Sequence, residues 1–400
     1  MEALAAYRSL EFTRDPNAVD DTSSQDAIDA NSGTNKAGNV IASPFIAIAS
    51  DLGQRGLAVA VGVHVPFGGQ ASWDQVDKWK GNQMYPGAAD GPQRWSVTTG
   101  KQQSIFYTGA AAYRTADNRL SFGVAFNVIQ SALQLTRARN VDGTDTETAN
   151  GAVTEGRSLL DVTSIDVSLG FGFIAQLDEH TKIGASYQTQ PLGGEQKMEG
   201  TLTNKFGDTG VSESKAGLRQ RLPDSVRVGV EWQGGRHALR AGADWTHWAL
   251  FKDQCIVDLG SQANCTLLDS GAFDPTAGGA SPLLDIQRNW KDSWGLQGGG
   301  SWWPSSALEL SLNLRLDTNA VPDSTLEPAL MDANKLISMV GARYTKGKFV
   351  VDLSLADVEY GDRTTAPRAV DPEPPSRNPD MAGTYKQHVF FALIGLGFHQ

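Results

Sequence analysis

Residues 57–65 alternate without a break: Leu57, Val59, Val61, Val63 and Val65 take one set of positions, and Ala58, Ala60, Gly62 and His64 the other. Successive side chains of an extended chain point to opposite faces, so this stretch predicts a strand that is apolar outside and thin inside. The same period of two recurs over 120–128, 165–173, 226–232, 239–245 and 349–355. It is clearest where Leu308, Leu310, Leu312, Leu314 and Leu316 interleave with Glu309, Ser311, Asn313 and Arg315. An amphipathic helix would repeat its apolar positions at three and four, and none of these stretches does.

The connections alternate as regularly as the strands. Short turns are expected at 51–55, 115–118, 178–181, 234–236, 304–306 and 346–348, with long polar loops near 14–40, 68–102, 140–158, 199–217, 252–285, 318–333 and 361–384. Short turns on one rim and long loops on the other predict an all-β fold, a transmembrane antiparallel β-barrel of about 14 strands with both termini on the short-turn rim. Residues 1–400 are read as that single domain. A half-buried sheet in water also alternates, but strands of about ten residues and loops this long are uncommon there. Trp232, Trp245, Trp248, Trp290, Trp294, Trp302 and Trp303 fall toward strand ends, where the aromatic girdles of a barrel sit. The last strand carries Phe390, Ala392, Ile394, Leu396 and Phe398 on its outward face, followed by His399 and Gln400.

Composition narrows the picture in two ways. Mean hydropathy is -0.30, and no window approaches the roughly 18 uninterrupted apolar residues a membrane helix needs, so any crossing is by strands. The net charge of -11 argues against a nucleic-acid partner. The opening MEALAAYRSL lacks the basic-then-apolar order of a secretory leader. Residues 1–13 already read as a first strand, with Leu4, Ala6, Leu10 and Phe12 on one face.

Four sets of residues carry candidate chemistry. Val65, Pro66, Phe67, Gly68 and Gly69 interrupt the third strand: proline lacks a ladder donor and the glycines let the backbone bend, which makes either a strand end or a gap in the wall. Arg227, Arg240, Arg315 and Arg343 face inward, as do Glu231, Asp244, Asp317 and Asp352. Arginine recognises carboxylates through two parallel hydrogen bonds, so the four either meet a ligand or pair with these acids, and pairing is the simpler expectation. Cys255 and Cys265 share one outer loop and are expected to form a disulfide on an oxidising surface. Asp142, Asp145 and Glu147 lack the full ligand spacing of a calcium loop and read as solvated. No metal or cofactor is expected. The six histidines fit no hydrolase or metalloprotease motif, though the inward His64 leaves room for a lipase-like enzyme as a remote alternative.

Taken in order, VHVPFGG at 63–69, LPDSVRVGVEW at 222–232, RAGADWTHWALF at 240–251, WKDSWGLQGGGSWWPSSALELSLNLRLDTNAVPD at 290–323 and FVVDLSLADVEYGDR at 349–363 resemble the outer-membrane long-chain fatty acid transporter family, which includes aromatic-hydrocarbon uptake proteins. The resemblance implies a barrel plugged by an N-terminal hatch, a capture groove in the outer loops, and a kinked third strand that opens the wall sideways at Val65–Gly69. It implies passive uptake of fatty acids or aromatic hydrocarbons across the outer membrane of a Gram-negative cell, by a monomer surrounded by lipid and lipopolysaccharide and delivered by the barrel-assembly machinery. Against that pattern, leader and hatch are expected to be missing from this chain. A general porin for polar solutes is the alternative, and it would show ion conductance through a charged constriction.

Overall fold

The computed structural model describes the chain except residues 141, 150, 208, 262, 267, 269–273, 275, 368–378 and 399–400. It forms a closed antiparallel barrel of 14 strands. The first six strands are β1 (Glu2–Arg14), β2 (Gly33–Ser50), β3 (Leu57–Ser72), β4 (Thr99–Arg114), β5 (Leu120–Arg139) and β6 (Gly156–Gln176). The next four each come in two pieces: β7 (Thr181–Gln188 and Gln196–Phe206), β8 (Ser212–Gln220 and Ser225–Gly234), β9 (His237–Thr246 and Asp253–Asp258) and β10 (Leu284–Gln287 and Ser293–Trp302). The wall continues through β11 (Leu308–Asp317), β12 (Lys335–Lys346), β13 (Phe349–Tyr360) and β14 (Gly383–Phe398). β1 closes the cylinder by pairing with β14 along its whole length, from Glu2 opposite Gly395 to Arg14 opposite Gly383.

The alternation translates directly into an outside and an inside. Val61, Phe122, Val124, Ile165, Leu312 and Leu396 are all more than half exposed on the outer surface, as side chains facing lipid must be. The opposite face near the short-turn rim is built from Ala58, Ala60, Ala110, Ala112, Gly123, Ala125, Gly170 and Gly172, which leaves cavities of about 360 and 630 Å³ in the lower lumen. Leu312 stands opposite Gly300 and Val340 on the lipid side, while Asn313 stands opposite Gly299 and Met339 on the lumen side. Leu312→Arg should therefore impair assembly, since a mid-bilayer arginine on the lipid face costs about 2–4 kcal/mol. Asn313→Arg should assemble normally. The yield of heat-modifiable barrel on gels measures both, and equal damage from the two would mean the register is off by one residue.

Two of the expected loops are largely strand. The stretch 199–217 continues the wall, with Gln196 opposite Gln220 and Leu202 opposite Ser214. Within 252–285, Asp253–Asp258 pairs with both the upper piece of β8 and Leu284–Gln287. These upper pieces keep the period of two, but their outward side chains are polar, among them Lys197, Glu199 and Arg219. On the inner side Leu133, Leu160, Val162, Met198, Leu202, Leu218 and Ile256 pack together.

The long-loop end is capped by buried ion pairs. Arg14 terminates β1 and donates to Asp145 at 2.6 Å and to the carbonyls of Ala18, Asn31 and Asp380. Arg94 reaches Glu147 at 3.1 Å, Glu155 at 3.0 Å and the Asn31 side chain at 2.7 Å. Asn31 ends a helix, α1 (Gln25–Asn31), whose N-terminus is capped by Ser24. The solvated reading of the 140–158 loop is thus corrected, because Asp145 and Glu147 are fully buried against these arginines. Beneath the cap, Leu10, Phe12, Trp73, Trp95, Leu326, Met381 and Tyr385 fill the upper lumen.

Candidate functional site

The third strand changes step at a single place. His64 pairs with Phe106 and Phe67 with Ser104, so Val65 and Pro66 together oppose Ile105. That is a β-bulge, one extra residue that bends the strand and turns both His64 and Phe67 toward the lumen. Pro66 suits the position because it has no N–H to leave unpaired. The bend lies at Val65 and Pro66 rather than at the glycines: Gly68 and Gly69 pair regularly with Gln103 and Gln102 of β4. A Cβ on Gly69 would meet nothing within 4 Å, so this glycine keeps the strand's lip bare.

On its other side β3 leaves β2. The β2–β3 ladder runs only from Ser50 opposite Val59 to Ile46 opposite Val63. The strands meet again where the Ser72 N–H donates to the Asn39 side chain at 2.9 Å and the Asp74 N–H to the Lys36 carbonyl at 3.0 Å. Between these points residues 40–45 and 64–71 face each other without ladder pairing. A cavity of about 480 Å³ begins behind this stretch, at Pro66, Phe67 and Gly69, and extends to Leu133, Trp248, Phe251, Trp290 and Met331.

Rings line the way in. His64 packs between Phe45 and Phe106, with centroids at 6.3 and 5.4 Å, and Phe67 lies 6.2 Å from Phe106 and 6.3 Å from Trp248. Trp290 stacks edge-on against Trp248 at 4.9 Å and Phe251 at 4.7 Å. Trp248 and Trp290 are therefore chamber residues and not members of the girdle. They sit in 247–252 and 288–292, where β9 and β10 are interrupted, and the break turns them inward. Trp232, Trp294 and Trp302 do face outward.

Of the four inward arginines, three are held by carboxylates. Arg240 bonds Glu231 at 2.7 Å, Arg315 bonds Asp244 at 2.6 Å and Asp317 at 2.8 Å, and Arg343 bonds Asp352 at 2.5 Å. Arg227 has no ion-pair partner among the described residues and opens onto both lower cavities. None of the four lines the chamber. Its cations are Arg8, Lys101 and Arg288. Arg8 donates to Gln387 at 3.0 Å, and its position could have been read from the sequence, since it shares parity with Leu10 and Phe12 on β1. Cys255, on the upper piece of β9, and Cys265, in the loop that follows it, form a disulfide with Cα atoms 6.0 Å apart. Among the described residues no cluster of metal-ligating side chains occurs.

Residues 10–365 match the model of a family described as outer membrane protein transport protein (OMPP1/FadL/TodX). The chain belongs to this family. No curated protein sequence matches it. Among solved structures, a Pseudomonas aeruginosa FadL homologue superposes with a TM-score of 0.71 at 13% identity, covering 100% of this chain and 90% of that one. The Ralstonia pickettii toluene transporter TbuX gives 0.61 at 14% identity, covering 100% of this chain and 90% of that one. The Pseudomonas putida toluene transporter TodX gives 0.62 at 12%, covering 99% and 89%. At such identities the superpositions establish the shared fold. The FadL/TodX family is one of hydrophobic-substrate transport channels, and that general role is this chain's.

Proposed function

We propose that this chain passes hydrophobic molecules, aromatic hydrocarbons or fatty acids, from outside the cell into the chamber and then sideways into the bilayer between β2 and β3. The observation that carries this reading is the continuity of the 480 Å³ cavity with the unpaired stretch at Pro66 and Gly69. An apolar chamber with a few placed polar groups is the usual form of a small-molecule site. Burial of alkyl or ring carbon supplies the driving force, about 0.8 kcal/mol per CH₂, so neither energy coupling nor catalysis is required. The setting is the outer membrane of a Gram-negative cell, with lipid and lipopolysaccharide around a monomeric barrel.

Uptake by cells carrying this barrel, against cells without it, tests the reading with labelled toluene, oleate and glucose in parallel. Toluene or oleate entry should rise and glucose entry should not; a rise confined to glucose would support a porin instead. Trp248→Ala removes the ring that meets Phe67 across the chamber, and apolar uptake should fall about five- to tenfold, the range expected when one aromatic contact of roughly 1 kcal/mol is lost together with its packing.

A further inference from the structure

At the level of the chamber, β7, β8, β9 and β10 leave the regular ladder, at 189–195, 221–224, 247–252 and 288–292. Only isolated backbone bonds remain there, such as Thr189 N–H to the Leu169 carbonyl at 2.9 Å and Leu192 N–H to the Val167 carbonyl at 2.8 Å. Along the upper edge of this ring of breaks one side chain from each of the four strands or its break joins a row of hydrogen bonds. The Gln196 amide donates to Asp166 at 2.9 Å and to Ser131 at 3.0 Å. Gln220 donates to Gln196 at 2.8 Å, Gln254 to Gln220 at 2.7 Å, and Arg288 to Gln254 at 2.9 and 2.6 Å. Arg288 then bonds Glu327 at 2.6 Å, in the loop that follows β11. Register explains the row: Gln196 stands opposite Gln220, and the pairing of Arg219 with Cys255 places Gln220 beside Gln254. Every amide is turned the same way, from the cation of Arg288 toward the carboxylate of Asp166, so each bond polarises the next. All three glutamines and Arg288 are buried.

The far end of this row holds the chamber's rings. The Arg288 and Asn289 N–H groups donate to the Lys252 carbonyl at 2.7 and 2.9 Å, and the Trp290 N–H donates to the Phe251 carbonyl at 3.3 Å. Gln254 and Arg288 are thus the fixed points from which 247–252 and 288–292 hang, and these segments carry Trp248, Phe251 and Trp290.

We propose that the Asp166–Gln196–Gln220–Gln254–Arg288–Glu327 row is a positioning element for transport: it sets where Trp248 and Trp290 stand relative to Phe67, and through them which molecules pass. This rests on the reading that the chamber lies on the substrate path. Gln220 is the place to test it, because it sits mid-row and does not line the chamber. Gln220→Leu and Gln220→Met keep bulk while deleting both bonds. Full-length barrels that still shift on heating should lose about five- to tenfold of labelled toluene uptake, the scale of effect when a supporting shell no longer holds a site. Combined with Trp248→Ala, either variant should lower uptake no further than Trp248→Ala alone, since both act on the same ring. Losses that multiply in the double variant would overturn the proposal, as would unchanged uptake in the Gln220 variants beside a loss in Trp248→Ala. Failure of both Gln220 variants to fold would equally overturn it, by assigning the row to stability. No effect of Trp248→Ala would instead sink the chamber reading itself.

Discussion

Replacing Val65 and Pro66 by a single valine should cut uptake of labelled toluene and oleate at least about tenfold, a loss equivalent to some 1.4 kcal/mol. The barrel should remain as stable as before or become more so. The bulge exists because two residues of β3 oppose Ile105; with one residue there, His64 and Phe67 keep their partners on β4 and the strand runs straight. The new valine brings a backbone donor and a β-branched side chain suited to pairing. β2 then has an edge within reach for residues 40–45, which lack a β3 partner now. Each added bond contributes only about 1 kcal/mol net in water, and an unpaired group facing lipid costs more. Mobility on heated and unheated gels checks the fold. Uptake that survives in a folded, surface-exposed variant would mean that substrate leaves elsewhere, through the lumen.

Arg94→Met should open the cap without unfolding the barrel. The guanidinium is fully buried and serves Glu147, Glu155 and Asn31 at once. Removing one partner from a buried ion pair costs about 3–5 kcal/mol, because the remaining charge is left without water. Burial pushes the Glu147 carboxyl up to about 7, with Arg94 opposing and Glu155 adding to the rise. A carboxyl raised in the folded state holds its proton there, so its favourable contribution is present at acid pH and is lost as pH rises through about 7. Without Arg94 the Glu147 carboxyl must be neutral for the cap to stay shut, whereas Glu155 keeps its ion pair with Arg157. Conductance of the variant in planar bilayers should therefore exceed that of the parent, and do so more at pH ~8 than at pH ~5. Equal conductance at the two pH values would mean the opening does not run through the Glu147 carboxylate.

Much of this architecture is legible in the residue order because lipid imposes a rule that alternation alone satisfies. Leu308 to Leu316 need no partner to reveal their face, since the solvent on that side is hydrocarbon. The rule ends where the wall rises above the membrane. There Lys197 and Arg219 face water while Met198 and Leu218 remain inside, and the polar outer positions make strand look like loop. The chamber is harder to read for a different reason. Trp248 and Trp290 stand at strand ends, as girdle residues do, and only the interruption beside them turns them inward. Asp145 and Glu147 look like any acidic loop until Arg14 and Arg94, 131 and 53 residues away, are seen to reach them. The glutamine row spans Gln196 to Gln254 across three strands, and nothing short of the register brings it into line.

The seam between β1 and β14 has a consequence in time. Every other pair of neighbouring strands in the wall is also consecutive in the chain, and the meander can grow one hairpin after another as it is made. This last pairing joins Arg14 to Gly383, so loop-closure entropy is paid across almost the whole chain before the first bond rewards it. Until then β1 and β14 each present a bare edge, open to pairing with other chains. The slow, concentration-sensitive step of maturation is thus expected to be the closing of this seam, and damage to residues 383–398 should leave behind an unsealed sheet that aggregates rather than a smaller barrel.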